Sequence, residues 1–436
     1  LAVFEALAVD GDMPRVLLAA PTGKAAARLT ESLQSSDIVP ACYRNIEAVT
    51  LHRLLKIIPG RLQPKYHREQ PLRADAIVID EASMIDLPMM TRILDAVPSH
   101  CSLILLGDRD QLASVESGMV LGDICGPQSS TQLSRETCAT LSASAGVAVT
   151  PVQRQTTPLS DHIVYLTKSH RSGDSSGINA LANSINRGDV NATMEYLQSG
   201  KYPGLQLLPH ETASIDDVIS NYVVPTYRRV TGSADPAAAI DAMVDTCVLC
   251  ALRRGNSGAE GINRRIESTL KSLDIIVADE PHYPGRPVMV TENSAAQNLF
   301  NGDIGITMRI DGRLRVFFQG QSSLRAFVPG RLPQHQTFYA MTVHKSQGSE
   351  YKTVVVVLPD GDSPLLTREL LYTGVTRARE RVIVIANSAQ LEAAISTRSI
   401  RQSGILETLW PGAAEQPTLE SRPATSSPPV QTELDF

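Results

Sequence analysis

The feature that most restricts how this chain can fold is a series of short apolar runs separated by helix-like stretches. The runs are Val16 to Ala20, Ala76 to Ile79, Leu103 to Leu106, Ile163 to Leu166, Cys247 to Leu252, Val354 to Leu358 and Val382 to Ile385. Short runs that are apolar throughout, bounded by polar residues, read as parallel strands covered on both faces. Their alternation with helices, such as one expected from about Lys24 to Leu33, argues for α/β parallel sheets.

A chain of 436 residues predicts several domains, at about 100–200 residues each. Residues 126–160 are rich in Ser, Thr and Ala without a clear period, and read as a linker or insertion. Between residues 286 and 336 the pattern turns to short strands with N-G and D-G turn signals, which predicts a small β-module. Residues 411–436 are Pro, Ser, Thr and Glu rich and predict a disordered tail.

Composition narrows the function classes. No apolar run approaches the roughly 18–20 residues of a membrane span, and no secretory signal is visible. Six scattered cysteines suit a reducing cytoplasm. Cys247 and Cys250 form a C-x-x-C, but it lies inside the apolar run "TCVLCAL" with no second ligand pair nearby, so they read as buried strand cysteines. A net charge of −6 argues against a basic coat, while leaving room for a local basic groove of the kind that single-strand binders use.

The stretch "AAPTGKAAARL" resembles a phosphate loop at first sight. The template G-x-x-x-x-G-K-[ST] requires glycine where Leu18 stands and Ser or Thr where Ala25 stands. Two fixed positions fail, so Lys24 is not read as a phosphate-loop lysine.

"DAIVIDEAS" places Asp80 and Glu81 directly after an apolar run. Ligands of parallel sheets bind at the carboxyl ends of strands. There an Asp can hold magnesium and a following Glu can polarise an attacking water. The plainer alternative is a helix start with acidic residues near its positive end. "LILLGDRDQLASVESG" repeats the design one strand along: Gly107 is expected to permit a sharp turn, and Gln111 to sense a γ-phosphate or orient water. The alternative there is a plain strand–turn–helix joint capped by Asp108. Arg171 in "LTKSHRS" is expected just past a strand end, and Arg377 and Arg379 in "TGVTRARERVIVI" just before one. An arginine reaching a γ-phosphate from a second domain contributes roughly 10³–10⁵ in rate; otherwise these are surface arginines. In "MTVHKSQGSEYKTVVVV", Thr342, His344, Lys345 and Ser346 suit phosphate and base contacts, and Gly348 permits close backbone approach. "VTLHRLL" is amphipathic and taken alone reads as a core helix.

In order, "APTGKAAARL", "TLHRLL", "VIDEASMID", "LLGDRDQL", "LTKSHRS", "MTVHKSQGSE" and "LYTGVTRARE" resemble the superfamily 1 helicases. "LCALRRGNSGAEGINRRI", "GRPVMV" and "LFNGDIGI" narrow the resemblance to the RecD branch, whose members are subunits of the RecBCD exonuclease V. The resemblance implies two RecA-like parallel-sheet domains with an SH3-like β insertion in the second. Its expected boundaries are 1–125 for the first domain, 126–160 for the linker, 161–285 with 337–410 for the second, and 286–336 for the insertion. It implies ATP and Mg²⁺ as ligands, with Asp80 on the metal, Glu81 as catalytic base, Gln111 as phosphate sensor, and Arg171 and Arg377 reaching the phosphates. Gly348 and Glu350 would link nucleotide to DNA, and Pro21, Thr22, Lys24, His52, Thr342 and His344 would face the strand. The implied partners are single-stranded DNA, DNA ends, and RecB-like and RecC-like subunits, and the implied direction is 5′ to 3′.

The same resemblance places "PTGKAAARL" after the second strand and the true phosphate loop upstream of Leu1. The chain opens at Leu1 rather than methionine, in what reads as mid-helix, so the natural N-terminus is expected further upstream and the fragment alone is expected to be inactive. Two alternatives stay open: a stand-alone or relaxase-type helicase, and a non-catalytic DNA-binding scaffold subunit.

Overall fold

The computed structural model describes residues 13–58, 60–61, 63–113, 118–127, 130–146, 148–149, 159–166, 177–294, 296–320, 323–399 and 403–410. The expected disordered tail and Arg171 lie outside the described residues.

Among the described residues, three sheets organise the chain. The first is parallel, with strands β1 (Val16–Ala20), β2 (Val49–Thr50), β3 (Ala76–Ile79) and β4 (Ser102–Leu105) in the order β2-β1-β3-β4. The second is also parallel. Its strands β5 (Leu205–Leu208), β6 (Thr246–Cys250), β12 (Ala340–Thr342), β13 (Tyr351–Val357) and β14 (Ala378–Ile385) run β12-β6-β13-β14-β5. Between β6 and β12 the chain makes a third, antiparallel sheet: β7 (Pro287–Val290), β8 (Ile304–Ile310), β9 (Arg313–Phe318), β10 (Arg325–Phe327) and β11 (His335–Thr337), ordered β10-β9-β8-β7-β11. The fold is therefore α/β with two parallel sheets, in agreement with the sequence reading.

The runs without alternation form the middle of each parallel sheet. Val354 to Val357 pair Cys247 to Cys250 on one side and Val382 to Ile385 on the other, and all four valines are at most 1% exposed. Burying each such side chain contributes about 1.5–3 kcal/mol, which fixes β13 as the axis of the second sheet. Cys247 and Cys250 lie on β6 and are buried, as their apolar context predicts. Burial pushes the Cys247 thiol up to about 12, so it is held as an inert apolar side chain.

One reading of secondary structure is corrected. Ile163 to Leu166 is not a strand: Val164 and Leu166 are 66% and 92% exposed, and among the described residues no strand pairs with them. The place beside β14 is filled by β5, "LQLL", whose glutamine interrupts the apolar pattern. Within the segment read as a linker or insertion runs helix Arg135–Ala145, N-capped by the Ser134 hydroxyl accepting from the Thr137 N–H. Its small side chains leave Cys138 as the buried residue, so no periodic apolar face marked it.

Candidate active site

The carboxyl end of β3 delivers the acidic pair. The Asp80 N–H is held by the Ala19 carbonyl, and Asp80 Oδ1 accepts from the Glu81 N–H at 2.8 Å. Glu81 then stands in the left-handed region, φ 52° and ψ 39°. That conformation costs a non-glycine residue about 1–2 kcal/mol, and such strain is concentrated at functional sites. It turns the Glu81 side chain toward Gly348 of the second parallel unit: a Cβ built on Gly348 would stand 3.9 Å from Glu81 Oε1. Gly348 itself has φ +69°, which a glycine adopts without cost.

One strand along, the loop after β4 carries Gln111, 5% exposed. Its Nε2 donates to Asp108 Oδ2 at 3.0 Å, while its buried Oε1 makes no hydrogen bond among the described residues. Gly107 acts here by close approach rather than by the expected sharp turn: an added Cβ would meet Leu121 Cδ2 at 2.8 Å and the Ala82 and Ser83 nitrogens at 3.1 Å. The loop is gripped by the second unit. Tyr372 Oη donates to Asp108 Oδ2 at 2.9 Å, Asn186 Nδ2 to Asp110 Oδ2 at 3.2 Å, and the Leu112 N–H to Thr373 Oγ1 at 2.8 Å.

Arg377 immediately precedes β14 and is 2% exposed, with Nε donating to the Thr373 carbonyl at 3.2 Å and Nη1 to the Ser349 carbonyl at 3.4 Å. A buried guanidinium braced by neutral carbonyls suits an anionic ligand. Glu350 accepts two bonds from Arg379, at 2.9 and 2.7 Å.

Four consecutive residues before β13 tie these parts together. Gln347 Nε2 donates to the Leu112 carbonyl at 2.7 Å, next to Gln111. The Gly348 carbonyl accepts from Arg28 Nη1, Ser349 Oγ accepts from Lys24 Nζ at 2.6 Å, and Glu350 holds Arg379. Lys24 and Arg28 belong to helix Gly23–Gln34, whose N-cap is Thr22, accepting from the Ala25 N–H at 3.2 Å.

Beside this segment, with Gln347 in its lining, opens a cleft of about 730 Å³. Thr22, Lys24, Thr342 and His344 all line it, together with Arg253, Arg254, Arg264 and Lys345. Against those arginines and lysines the lining sets two carboxylates, Glu260 and Glu267, so the groove is locally basic on a chain of net charge −6. Burial, with the Arg28 cation beside it, pulls the Lys24 ammonium down to about 8. Burial also lowers Lys345.

Pro21 and His52 are not among the lining residues, and His52 is exposed on the short helix Leu51–Leu55. Ser346 does not face a ligand: it is 0% exposed and its hydroxyl donates to the Val343 carbonyl at 2.6 Å. Sequence reasoning assigned nothing to Arg28, Arg253, Arg254 or Arg264. The signal for the last three was a basic cluster, "RRGNSGAEGINRR", directly after β6.

Comparison with known proteins gives a consistent picture. The profile of a family described as an AAA domain matches residues 1–117, and that of the UvrD-like helicase C-terminal domain matches residues 337–385. The chain is similar to the RecBCD enzyme subunit RecD of Mycolicibacterium smegmatis, 38% identical over 91% of this chain and 66% of that protein. It is similar to the RecBCD enzyme subunit RecD of Haemophilus influenzae, 35% identical over 89% of this chain and 64% of that protein. The ATP-dependent RecD2 DNA helicase of Deinococcus radiodurans is 28% identical over 90% of this chain and 46% of its own length. The chain thus spans somewhat under two thirds of the length of the curated relatives it matches.

Proposed function

Because the chain belongs to the RecD family, we propose that it forms the motor portion of an ATP-dependent DNA helicase. It would move 5′ to 3′ on single-stranded DNA within a RecBCD-type exonuclease V, in double-strand break repair and recombination in the cytoplasm. The observation that carries this reading is the segment Gln347 to Glu350. It reaches the Glu81, Gln111 and Arg377 region through Gln347, Gly348 and Ser349, and it holds Lys24, which lines the basic cleft, through the Ser349 hydroxyl.

The acidic side fits nucleotide hydrolysis. Glu81 would take the proton of the attacking water, and Gln111, with its buried Oε1 open to a further bond, would accept from that water and orient it. Arg377, from the second parallel unit, would neutralise charge on the transferred phosphoryl group. Asp80 supplies the hard oxygen donor that Mg²⁺ requires, and the ion when bound neutralises phosphate charge. The phosphates themselves need a glycine-rich loop, and none of the Walker type occurs among the described residues.

The basic side fits a strand. Lys24, His344 and Thr342 would contact phosphates and sugars, which positions a strand without reading its sequence. The domain limits that go with this reading are 1–125, 126–160, 161–285 with 337–410, and 286–336 as the SH3-like insertion. A scaffold role is disfavoured by the strained Glu81 and buried Arg377, which a passive subunit does not need. The higher identity to the two RecBCD subunits than to the RecD2 helicase favours an assembly over a stand-alone enzyme. Among the described residues no helix is long and apolar enough to cross a membrane.

The test is unwinding by the full-length protein of duplexes with a 5′ or a 3′ single-stranded tail, with and without co-expressed RecB-like and RecC-like subunits. Strand-stimulated hydrolysis with 5′-tail preference and co-purification of the partners is expected. Activity restricted to 3′ tails would reverse the direction, and failure to co-purify would favour the stand-alone reading.

A further inference from the structure

We infer that Trp410, far from the nucleotide side in sequence, is a positioning residue for the loop that carries Gln111. The inference rests on the hydrolytic reading of that loop given above. The chain holds a single tryptophan. After β14 and helix Ser388–Ser396 in the second parallel unit, residues 403–410 lie against the first one. Ser403 Oγ bonds to Asp123, the short helix Ile405–Leu409 packs on helix Val120–Cys125, and Trp410 is 5% exposed at its end. The Trp410 Nε1–H donates to the Ile124 carbonyl at 3.2 Å.

The ring fits against Gly126. A Cβ at that position would fall 2.3 Å from Trp410 Cε2 and 2.4 Å from Nε1, and the residue has φ +63°, so glycine answers both demands. The carbonyl of the same Gly126 accepts from Arg109 Nη1 at 3.0 Å. Arg109 also donates to Tyr165 Oη at 2.9 Å, and that phenol reaches back to the Cys125 carbonyl at 3.4 Å. Arg109 is two residues before Gln111, between Asp108 and Asp110, which the second unit grips through Tyr372 and Asn186. One side of the loop is thus anchored by the second unit. The other is anchored by Arg109 on a platform of Gly126 and Cys125 that Trp410 covers. Removing the indole uncovers the platform and lets Arg109, and with it the loop, move relative to Glu81. A misplacement of about 1 Å at a reacting group can cost about 10²-fold in rate.

The experiment uses the full-length protein and three variants: Trp410→Ala, Trp410→Phe and Gly126→Ala. Emission of Trp410, taken as the wild-type spectrum minus that of Trp410→Phe, is read first. Gly126→Ala is expected to shift it to longer wavelength as the ring is displaced into water. Strand-stimulated ATP hydrolysis is read next. Trp410→Ala is expected to lower kcat on the order of 10–100-fold, with KM for ATP and single-strand affinity close to wild type. Trp410→Phe, which keeps ring packing, is expected to recover most of the rate. A purely structural role would lower the unfolding midpoint and leave kcat of the folded enzyme unchanged, and that result overturns the inference. If Trp410→Ala fails to fold, Gly126→Ala decides: a red-shifted but fully active enzyme overturns it, a red-shifted and slow one supports it. A wild-type protein without strand-stimulated hydrolysis overturns the hydrolytic reading as well, whereas an active wild type with unaffected variants overturns this inference alone.

Discussion

Lys24 Nζ donates to Ser349 Oγ across 2.6 Å, joining the helix after β1 to the segment before β13, 325 positions further along the chain. The same ammonium lines the basic cleft, so on the proposed reading a strand phosphate entering there would compete with Ser349 for it.

Binding should therefore depend on the charge of Lys24. Its ammonium, ordinarily at 10.5, titrates near 8 here because burial and Arg28 disfavour the charged form. Single-strand affinity is expected to fall as pH rises through about 8, and Lys24→Ala to remove most of that fall while lowering the salt slope by about 0.7–1. Stability moves the other way. Between about 8 and 10.5 the unfolded chain binds more protons than the folded one, so stability rises with pH in that window. Fluorescence anisotropy of a labelled oligonucleotide across pH checks the first effect. An unchanged pH profile in Lys24→Ala would contradict it.

Arg377 and His344 should separate hydrolysis from strand binding. Arg377→Lys keeps the charge but loses the planar fork, and is expected to reduce turnover by about 10³-fold or more. Strand affinity should stay within about twofold, since the guanidinium is buried away from the cleft lining. His344→Ala is expected to weaken the strand with little direct effect on ATP affinity. Parallel shifts of both quantities in both variants would refute the division of roles.

How much of this was legible beforehand depended on distance along the chain. The strands β1, β3, β6 and β13 announce themselves because burial on both faces demands unbroken apolar runs; Asp80 and Glu81 stand out as candidates because they directly follow such a run, and Arg377 because it precedes a strand. Strand β5 escaped because its glutamine breaks the pattern, and Ile163 to Leu166 misled because an apolar run alone does not supply a partner strand. Arg28 on Gly348 and Lys24 on Ser349 were illegible for a different reason: their partners lie more than 300 residues away, and no local period encodes that pairing. Glu81 was picked as a base from its position, but its left-handed backbone could only be seen in three dimensions.

Gly107 offers a test of packing alone. An alanine there must displace Leu121 and the Ala82–Ser83 backbone, one residue from Glu81. Gly107→Ala is expected to destabilise the protein by about 1–3 kcal/mol. A urea titration should show a lower midpoint with an unchanged slope. A wild-type midpoint would mean that the loop after β4 is free to give way.

The most direct test of the account is hydrolysis by Glu81→Gln in the full-length protein with saturating single-stranded DNA. The amide keeps the size of the side chain and cannot accept the water's proton. Turnover is expected to fall by about 10²–10⁴-fold, while ATP binding and salt-dependent strand binding persist, because Lys24, His344 and the cleft are untouched. Hydrolysis within a few-fold of wild type would contradict the assignment of Glu81, and with it the reading of the β3 end as the hydrolytic centre.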